Sequence, residues 1–189
     1  MSDLTTDDEE KVNEYLHVIQ ERILAPIENT EVQQYCTATL LLLFAAIDGL
    51  GKIRHPSDKA GSNQRIQEFL DFMGGDYKKQ KKKLKDLRNS LVHNAINVEA
   101  FLSRSEISDI QHLKKMDTDK YIYVNTLIMY QDFLDAYEKF RDEIKTDAVL
   151  MKQASERLMW IENIPTGDLD PNDVMPTPPP PIKFIHTKR

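Results

Sequence analysis

The chain has 189 residues, of which 40% are hydrophobic and 30% are charged, which is enough for one domain with a substantial core and too few for two. Its formal net charge of −6 at pH 7 excludes a protein that binds nucleic acid over its whole surface. The single cysteine, Cys36, excludes an internal disulfide and leaves no second thiol for a metal site.

The N-terminal and apolar segments indicate a soluble protein. Residues 1–10 are acidic and lack the basic, apolar and small-residue sections of a secretory signal. The longest apolar run, residues 40–50, contains Asp48 and Gly49 and is shorter than the roughly 18 residues that span a membrane. We therefore expect a cytoplasmic protein that does not enter a membrane.

Two helix-start signals organise the first part of the chain. Thr6 and Glu9 form a capping-box pattern, and the apolar repeat behind it continues at helical spacing until Pro26, which should stop the helix. Thr30 with Gln33 repeats the signal for a second helix. The pattern predicts two helices separated by a short break.

The second helix is predicted to be the centre of the core. It is apolar on almost every face through residues 38–50 and ends in glycines followed by a His-Pro pair. Asp48 and Lys52 are spaced to pair on its last turn. We interpret them as a structural ion pair outside any site.

A third and a fourth helix follow. Residues 66–73 trace a short amphipathic helix that Gly74 and Gly75 end, and Asp76 is placed to cap the next helix. That fourth helix carries an apolar stripe of three leucines, Leu84, Leu87 and Leu91.

Three polar residues border this stripe and form the candidate site. Asn89 and His93 lie one turn apart on one face of the helix. Arg88 lies roughly 140° around the axis from His93 and about 7.5 Å along it, a gap that a long arginine side chain can cross. The fourth helix therefore places a cation, an amide and an imidazole close together.

The second half of the chain contains a hairpin and a long helix. Residues 113–116 and 121–124 read as a β-hairpin around a polar turn, and residues 99–103 alternatively form a helical turn. Asn125 can cap a helix whose apolar stripe runs to Ile144, and residues 150–161 extend or kink it.

These elements define the predicted fold. It is all-α, an up-and-down bundle of four to five helices with a small β-hairpin inserted after the motif helix. The helical domain is expected over residues 1–162. Residues 163–189 form a Pro-rich tail, in which a polyproline spacer precedes the short apolar segment 182–185. We expect this segment to bind a partner protein or a second copy of the chain. The alternative is that the tail is only a frayed terminus.

The spacing Arg88-Asn89-x-x-x-His93, late in a helix that follows a Gly-Gly break, resembles the HEPN superfamily of small helical ribonucleases and nucleotide-binding modules. Residues 44–52 are similar to the second helix of one bacterial branch of that family. The resemblance covers about residues 10–145. It implies a metal-independent endoribonuclease without a cofactor, active as a homodimer, and a setting in a toxin–antitoxin system or antiviral defence.

The resemblance also implies a role for each site residue. His93 would be the general base or acid and Arg88 would bind the scissile phosphate, while Asn89 would bind the phosphate or orient His93. The products would be a 2′,3′-cyclic phosphate and a 5′-hydroxyl. One branch of toxins carries a tyrosine two positions after its histidine, where this chain has Ala95, so regulation by adenylylation of that tyrosine does not transfer.

A basic run leads into the motif and is the candidate RNA-binding surface. Six lysines fall within residues 78–85. The alternative is an ordinary solvated helix face. The four that we assign to RNA binding are Lys78, Lys81, Lys82 and Lys85.

Other functions fit the sequence less well. The five histidines are scattered along the chain, which argues against a metal hydrolase. The glycines of Gly49-Leu50-Gly51 end a helix and do not follow a strand, which argues against a P-loop or dinucleotide-binding fold. His93 could be a core-edge histidine bonded to a backbone carbonyl, and Arg88 could form a helix-surface ion pair with Asp86 or a neighbouring acid. The remaining alternative is a HEPN-fold module without turnover that binds RNA or a nucleotide, or serves as a scaffold, in a larger complex.

Overall fold

The structure, a computed structural model, describes residues 5–28, 35–94, 100–104, 111–116 and 121–158. The chain separates into two units, Met1–Met159 and Trp160–Arg189, and the second lies outside the described residues together with the predicted tail.

The helices are α1 (Thr6–Ile19), α2 (Ala25–Glu28), α3 (Cys36–Arg54), α4 (Ser62–Met73), α5 (Gly75–Asn94), α6 (Thr126–Thr146) and α7 (Ala148–Leu158), and the strands are β1 (Ala100–Ser103), β2 (Lys115–Met116) and β3 (Tyr121–Asn125). The predicted all-α bundle with a small β insertion after the motif helix is confirmed.

The first helix begins one residue earlier than the sequence pattern indicates. Thr5 is the N-cap, and its hydroxyl accepts a hydrogen bond from the Asp8 N–H while the Asp8 carboxylate accepts one from the Thr5 N–H. Because an aspartate three residues after the cap closes the same reciprocal box as a glutamate, the predicted pair Thr6 and Glu9 was shifted by one position.

Pro26 does not stop the first helical segment, contrary to the prediction. A wide π-helical turn, Gln20–Leu24, precedes it, and the Ala25 N–H reaches back to the Gln20 carbonyl. Such a turn makes room for the proline ring and the missing N–H, so α2 continues through Pro26. The predicted start signal of the next helix, Thr30 with Gln33, lies outside the described residues.

Helix α3 is the central element, as the sequence indicates. It packs against α4, α5, α6 and α7. In the part of the chain that the structure describes, α3 is the one helix long and apolar enough to cross a membrane, and half of that stretch is buried in the bundle, which is compatible with the core helix of a soluble protein. The helix is longer than the predicted apolar run because it also includes small or apolar residues before residue 40 and a last turn that contains Lys52 and Arg54. Its fully buried large side chains are Leu40, Leu43, Phe44, Ile47 and Leu50.

Helices α3 and α4 approach each other closely at Gly51. A Cβ atom at this position would overlap the backbone carbonyl of Arg65. Because only glycine fits such a contact, Gly51 sets the distance between the two helices. The close approach brings the Arg65 side chain to Asp48 on α3, less than one turn before Gly51.

The β insertion contains one strand more than the predicted hairpin. β2 and β3 pair antiparallel, with Lys115 opposite Ile122, as a hairpin requires. β1 pairs parallel with β3, with Ala100 opposite Ile122, which gives the strand order β1-β3-β2. The alternative of a helical turn at residues 99–103 is therefore wrong for residues 100–103. Ala100 and Ile122 are both buried, and β1 extends the hairpin into a three-stranded sheet.

The last two helices close the bundle. Asn125 caps α6, as predicted, by accepting from the N–H groups of Leu127 and Ile128. Asp147 then ends α6 and caps α7. The residues after 146 are thus a separate helix, and α7 packs against α1.

Candidate active site

Helix α5 has one apolar face and one polar flank, as its sequence indicates. Leu84, Leu87 and Leu91 are buried against the bundle. His93 is exposed, and Arg88 is about one-fifth exposed. The exposure of His93 argues against a core-edge histidine.

The three predicted site residues line one cleft. Its volume is about 470 Å³, and its opposite wall is the beginning of α4, residues 61–64. Arg88, Asn89 and His93 form the α5 wall. The structure therefore brings together all three residues of the motif, and it adds a helix N-terminus that the sequence analysis does not assign to the site.

Arg88 is held by contacts within the chain. Its Nη1 donates to Asn89 Oδ1 over 3.1 Å, and its Nη2 lies 3.9 Å from Asp48 Oδ2. Asp86 pairs with Lys85. The carboxylate beside Arg88 thus comes from α3 and not from its own helix, contrary to the alternative in which Arg88 pairs with Asp86.

Asp48 joins the two walls of the cleft. One of its oxygens accepts from Arg65 Nε over 2.6 Å, and the other accepts from Ser62 Oγ over 2.7 Å and from Arg65 Nη2 over 3.2 Å. The hydrogen bonds from Arg65 to Asp48 raise the pKa of the arginine. From the sequence, Asp48 is interpreted as part of an ion pair outside any site, and its contacts with Ser62, Arg65 and Arg88 are not predicted. The available signal is a carboxylate in an otherwise apolar helix, which needs partners from other helices.

Asn89 connects α5 to the opposite wall. Its Nδ2 donates to Asn63 Oδ1 over 3.2 Å, while its Oδ1 accepts from Arg88. The amide therefore orients the guanidinium and links it to α4. These two hydrogen bonds are consistent with a role for Asn89 in positioning Arg88, which itself lines the cleft.

The α4 wall is suited to an anion. Gly61 is the N-cap; its N–H donates to Gln64 Oε1, and the Gln64 N–H donates to the Gly61 carbonyl. The N–H groups of Ser62 and Asn63 are therefore the candidate donors at this helix end. The helix dipole adds partial positive charge at this end. With Arg88 and His93 opposite, the cleft has the donors that a phosphate group requires.

The four predicted RNA-binding lysines do not line this cleft. Lys81 pairs with Asp71, and Lys85 pairs with Asp86. Lys78 and Lys82 are exposed, one turn apart, and Lys78 lies about 15 Å along the helix from Arg88. The lysines therefore form a separate stretch of α5 that leads to the cleft.

A second cluster, which no sequence pattern indicates, joins α5, the β insertion and α6. The Tyr77 hydroxyl donates to Asp132 over 2.8 Å and lies 2.9 Å from His112 Nε2. The Asn125 N–H donates to His112 Nδ1, so the neutral ring carries its proton on Nε2. Burial, with the Asp132 charge, raises the pKa of Tyr77. This buried network holds the elements together beside a cleft of about 430 Å³.

Among the described residues, no group of three or more His, Cys, Asp or Glu side chains is placed to hold a metal ion. Comparisons with protein-family models, with curated proteins and with solved structures give no match to this chain. The assignment of the cleft therefore depends on its own geometry and on the motif.

Proposed function

We propose that this protein is a metal-independent endoribonuclease of the HEPN type, active as a homodimer. The observation that supports this function is the cleft in which Arg88, Asn89 and His93 meet the N-terminus of α4. An arginine, an imidazole and the backbone donors of a helix N-terminus around one cleft supply part of what phosphodiester cleavage without a metal needs.

The roles follow from the contacts. Arg88 stabilises the negative charge that builds on the phosphate, and Asn89 fixes its guanidinium through the 3.1 Å hydrogen bond. His93, exposed at the rim, removes the proton of the ribose 2′-hydroxyl or protonates the leaving 5′-oxygen. The cleft of one chain supplies one histidine, so the second copy supplies the other proton-transfer group.

The charge balance of the site leaves a net cation for the phosphate. Arg65 and Arg88 share the single carboxylate of Asp48. Because Arg65 takes both carboxylate oxygens at closer range, the charge of Arg88 is the less neutralised of the two. Asp48 therefore leaves most of the charge of Arg88 uncancelled.

The cellular setting rests on the resemblance alone: a cytoplasmic toxin or antiviral defence effector would cleave cellular or phage RNA. The composition of residues 163–189 is the basis for a tail that would bind a partner protein or the dimer mate. Neither assignment enters the chemistry of the cleft.

A binding module without turnover is the second candidate. It is favoured by the contacts of Arg88 with Asn89 and Asp48, because a guanidinium held within the chain can bind a phosphate statically. Such a protein would bind RNA or a nucleotide at the same cleft and release it unchanged.

The test is incubation of the purified protein with a labelled RNA pool, with and without EDTA. We expect cleavage in both, with 2′,3′-cyclic phosphate ends and a dimer by light scattering. Arg88→Ala and His93→Ala should each lose at least about 100-fold in rate while remaining folded, the size of one phosphate-stabilising or proton-transfer contribution.

Arg22→Ala and His17→Ala are the matched controls, since both residues are exposed and lie outside the cleft. They should cleave like the wild type. Complete inhibition by EDTA, or full activity of His93→Ala, would contradict the mechanism. RNA binding without any cleavage would identify the binding module.

A further inference from the structure

Two arginines compete for one carboxylate at the cleft. Arg65 holds both oxygens of Asp48 at 2.6 and 3.2 Å, whereas Arg88 Nη2 remains at 3.9 Å from Oδ2. Ser62 Oγ takes a further lone pair of Oδ2 at 2.7 Å. Asp48 is therefore largely occupied before Arg88 reaches it.

The position of Arg65 is fixed independently of Arg88. Its Nη1 donates to the Ala60 carbonyl over 3.2 Å, and its backbone lies against Gly51 of α3. Arg65 thus approaches Asp48 from the α4 side with little freedom to move. Arg88 approaches from α5 on a long side chain whose other contact is the adjacent Asn89.

An arginine and a carboxylate without other partners form two parallel hydrogen bonds at about 2.8 Å. The 3.9 Å separation between Arg88 and Asp48 is longer than this. The gap is explained by the prior occupation of Asp48, since its oxygens already accept three hydrogen bonds. If Arg65 were absent, each Asp48 oxygen would regain one acceptor position and Asp48 would lose its closest cation.

We propose that Arg65 is a positioning residue of the site: by occupying Asp48, it keeps the guanidinium of Arg88 free for the phosphate in the cleft. Loss of Arg65 lets Asp48 draw Arg88 into a close ion pair and away from the phosphate. This inference rests on the proposed function for its effect on RNA, but its structural part does not.

The structural test uses crystal structures of the full chain and of Arg65→Met. We expect the distance between Arg88 Nη2 and Asp48 Oδ2 to fall from 3.9 Å to about 2.8 Å in the variant. An unchanged distance overturns the inference, whether or not the protein cleaves RNA.

The functional test measures cleavage and the Kd for a 2′-O-methyl RNA that cannot be cleaved. Arg65→Met should lose on the order of 10-fold or more in kcat, part of the effect of removing a phosphate-stabilising donor. Asp48→Asn/Arg65→Met, which removes the competing carboxylate as well, should recover to within about threefold of the wild type.

Recovery in the double variant separates positioning from structural damage, because removing a second interaction does not repair a destabilised fold. Arg54→Met is the matched control: Arg54 also bridges helices, through Glu143 at 2.9 Å and Phe72 at 4.1 Å, but does not line the cleft. Its cleavage should be unchanged.

The outcomes distinguish the two proposals. A wild type that neither binds nor cleaves RNA rejects the proposed function, and the distance in the Arg65→Met crystal still decides the inference. A wild type that cleaves, with Arg65→Met equally active or the double variant no better than the single, overturns the inference alone.

Discussion

The Asp8 side chain connects the start of α1 to α7. Its carboxylate accepts from Ser155 Oγ, from Lys152 Nζ and from the backbone and hydroxyl of Thr5. The hydrogen bond from Ser155, followed by those from Lys152 and Thr5, keeps the pKa of Asp8 far below its ordinary value. A carboxylate with a lowered pKa in the folded state stabilises the fold above its unfolded pKa of about 4, and this stabilisation is lost as the pH falls through the folded value.

Asp8→Asn should therefore lower the Tm at pH 7, and the difference from the wild type should shrink as the pH drops below about 4, where the unfolded state binds a proton at Asp8 that the folded state binds only at a lower pH. Thermal unfolding by circular dichroism between pH 7 and pH 2 measures this. Asp7→Asn is the control, because Asp7 is 71% exposed and pairs only with Lys11 one turn away. A difference in Tm that is independent of pH would contradict the interpretation.

The sequence predicted some residues of the site and not others, for a physical reason. Arg88, Asn89 and His93 lie within six positions on one helix, so helical geometry alone places them together. Asp48 contacts Arg65 and Arg88 from another helix, and such contacts depend on how helices pack. Periodicity carries no information about that packing.

At the scale of elements, two glycines of α3 face different neighbours, Gly51 facing α4 and Gly49 facing Tyr15 of α1. A Cβ at Gly51 would overlap the Arg65 backbone carbonyl, which cannot move without moving α4. A Cβ at Gly49 would overlap only the hydroxyl oxygen of Tyr15, while the ring carbon beneath it is 3.5 Å away. The first contact is with backbone and the second is with the end of a side chain.

We expect Gly51→Ala to destabilise the protein by roughly 2 kcal/mol or more, as overpacking against backbone does. Gly49→Ala should cost less, and Tyr15→Phe should relieve part of that cost because it removes the overlapping oxygen. Urea unfolding of the three single variants and of the Gly49→Ala/Tyr15→Phe pair measures the coupling. Additive losses in the pair would show that the Tyr15 hydroxyl is not the obstacle.

The element boundaries show where local patterns are sufficient. The Asn125 cap and the hairpin pairing follow from residues close in sequence and are confirmed. The parallel pairing of β1 with β3 and the passage of α2 through Pro26 are not local. The first needs the burial of Ala100 against the hairpin, and the second needs a wide turn whose sequence has no distinct signature.

At the scale of the whole molecule, the net charge of −6 and a basic helix coexist. Lys81 and Lys85 are neutralised by Asp71 and Asp86, whereas Lys78 and Lys82 are exposed on α5. An RNA strand that leaves the cleft along α5 would pass the exposed Lys82 and then the exposed Lys78. The acidic remainder of the chain limits binding elsewhere.

Lys78→Ala/Lys82→Ala should therefore weaken the binding of an uncleavable single-stranded RNA. Its salt dependence should fall by about 0.7 in log–log slope for each phosphate that the protein no longer neutralises. Lys81→Ala/Lys85→Ala is the matched control and should change the slope less, since its lysines already have carboxylate partners. Titrations between about 50 and 200 mM salt measure the slope. Equal slopes for the two double variants and the wild type would show that these lysines form an ordinary solvated helix face.

The contacts of α1 with α6 and α7 affect how the protein folds during its synthesis. Asp8 and the Leu16 carbonyl bind residues synthesised more than a hundred positions later, Ser155 and the Tyr137 hydroxyl. At about 5–20 residues per second, a ribosome needs roughly 6–30 seconds to reach them after completing α1. During that interval the side of α1 that packs against α7 stays uncovered. Nascent chains of this protein should therefore depend on chaperones until α7 emerges.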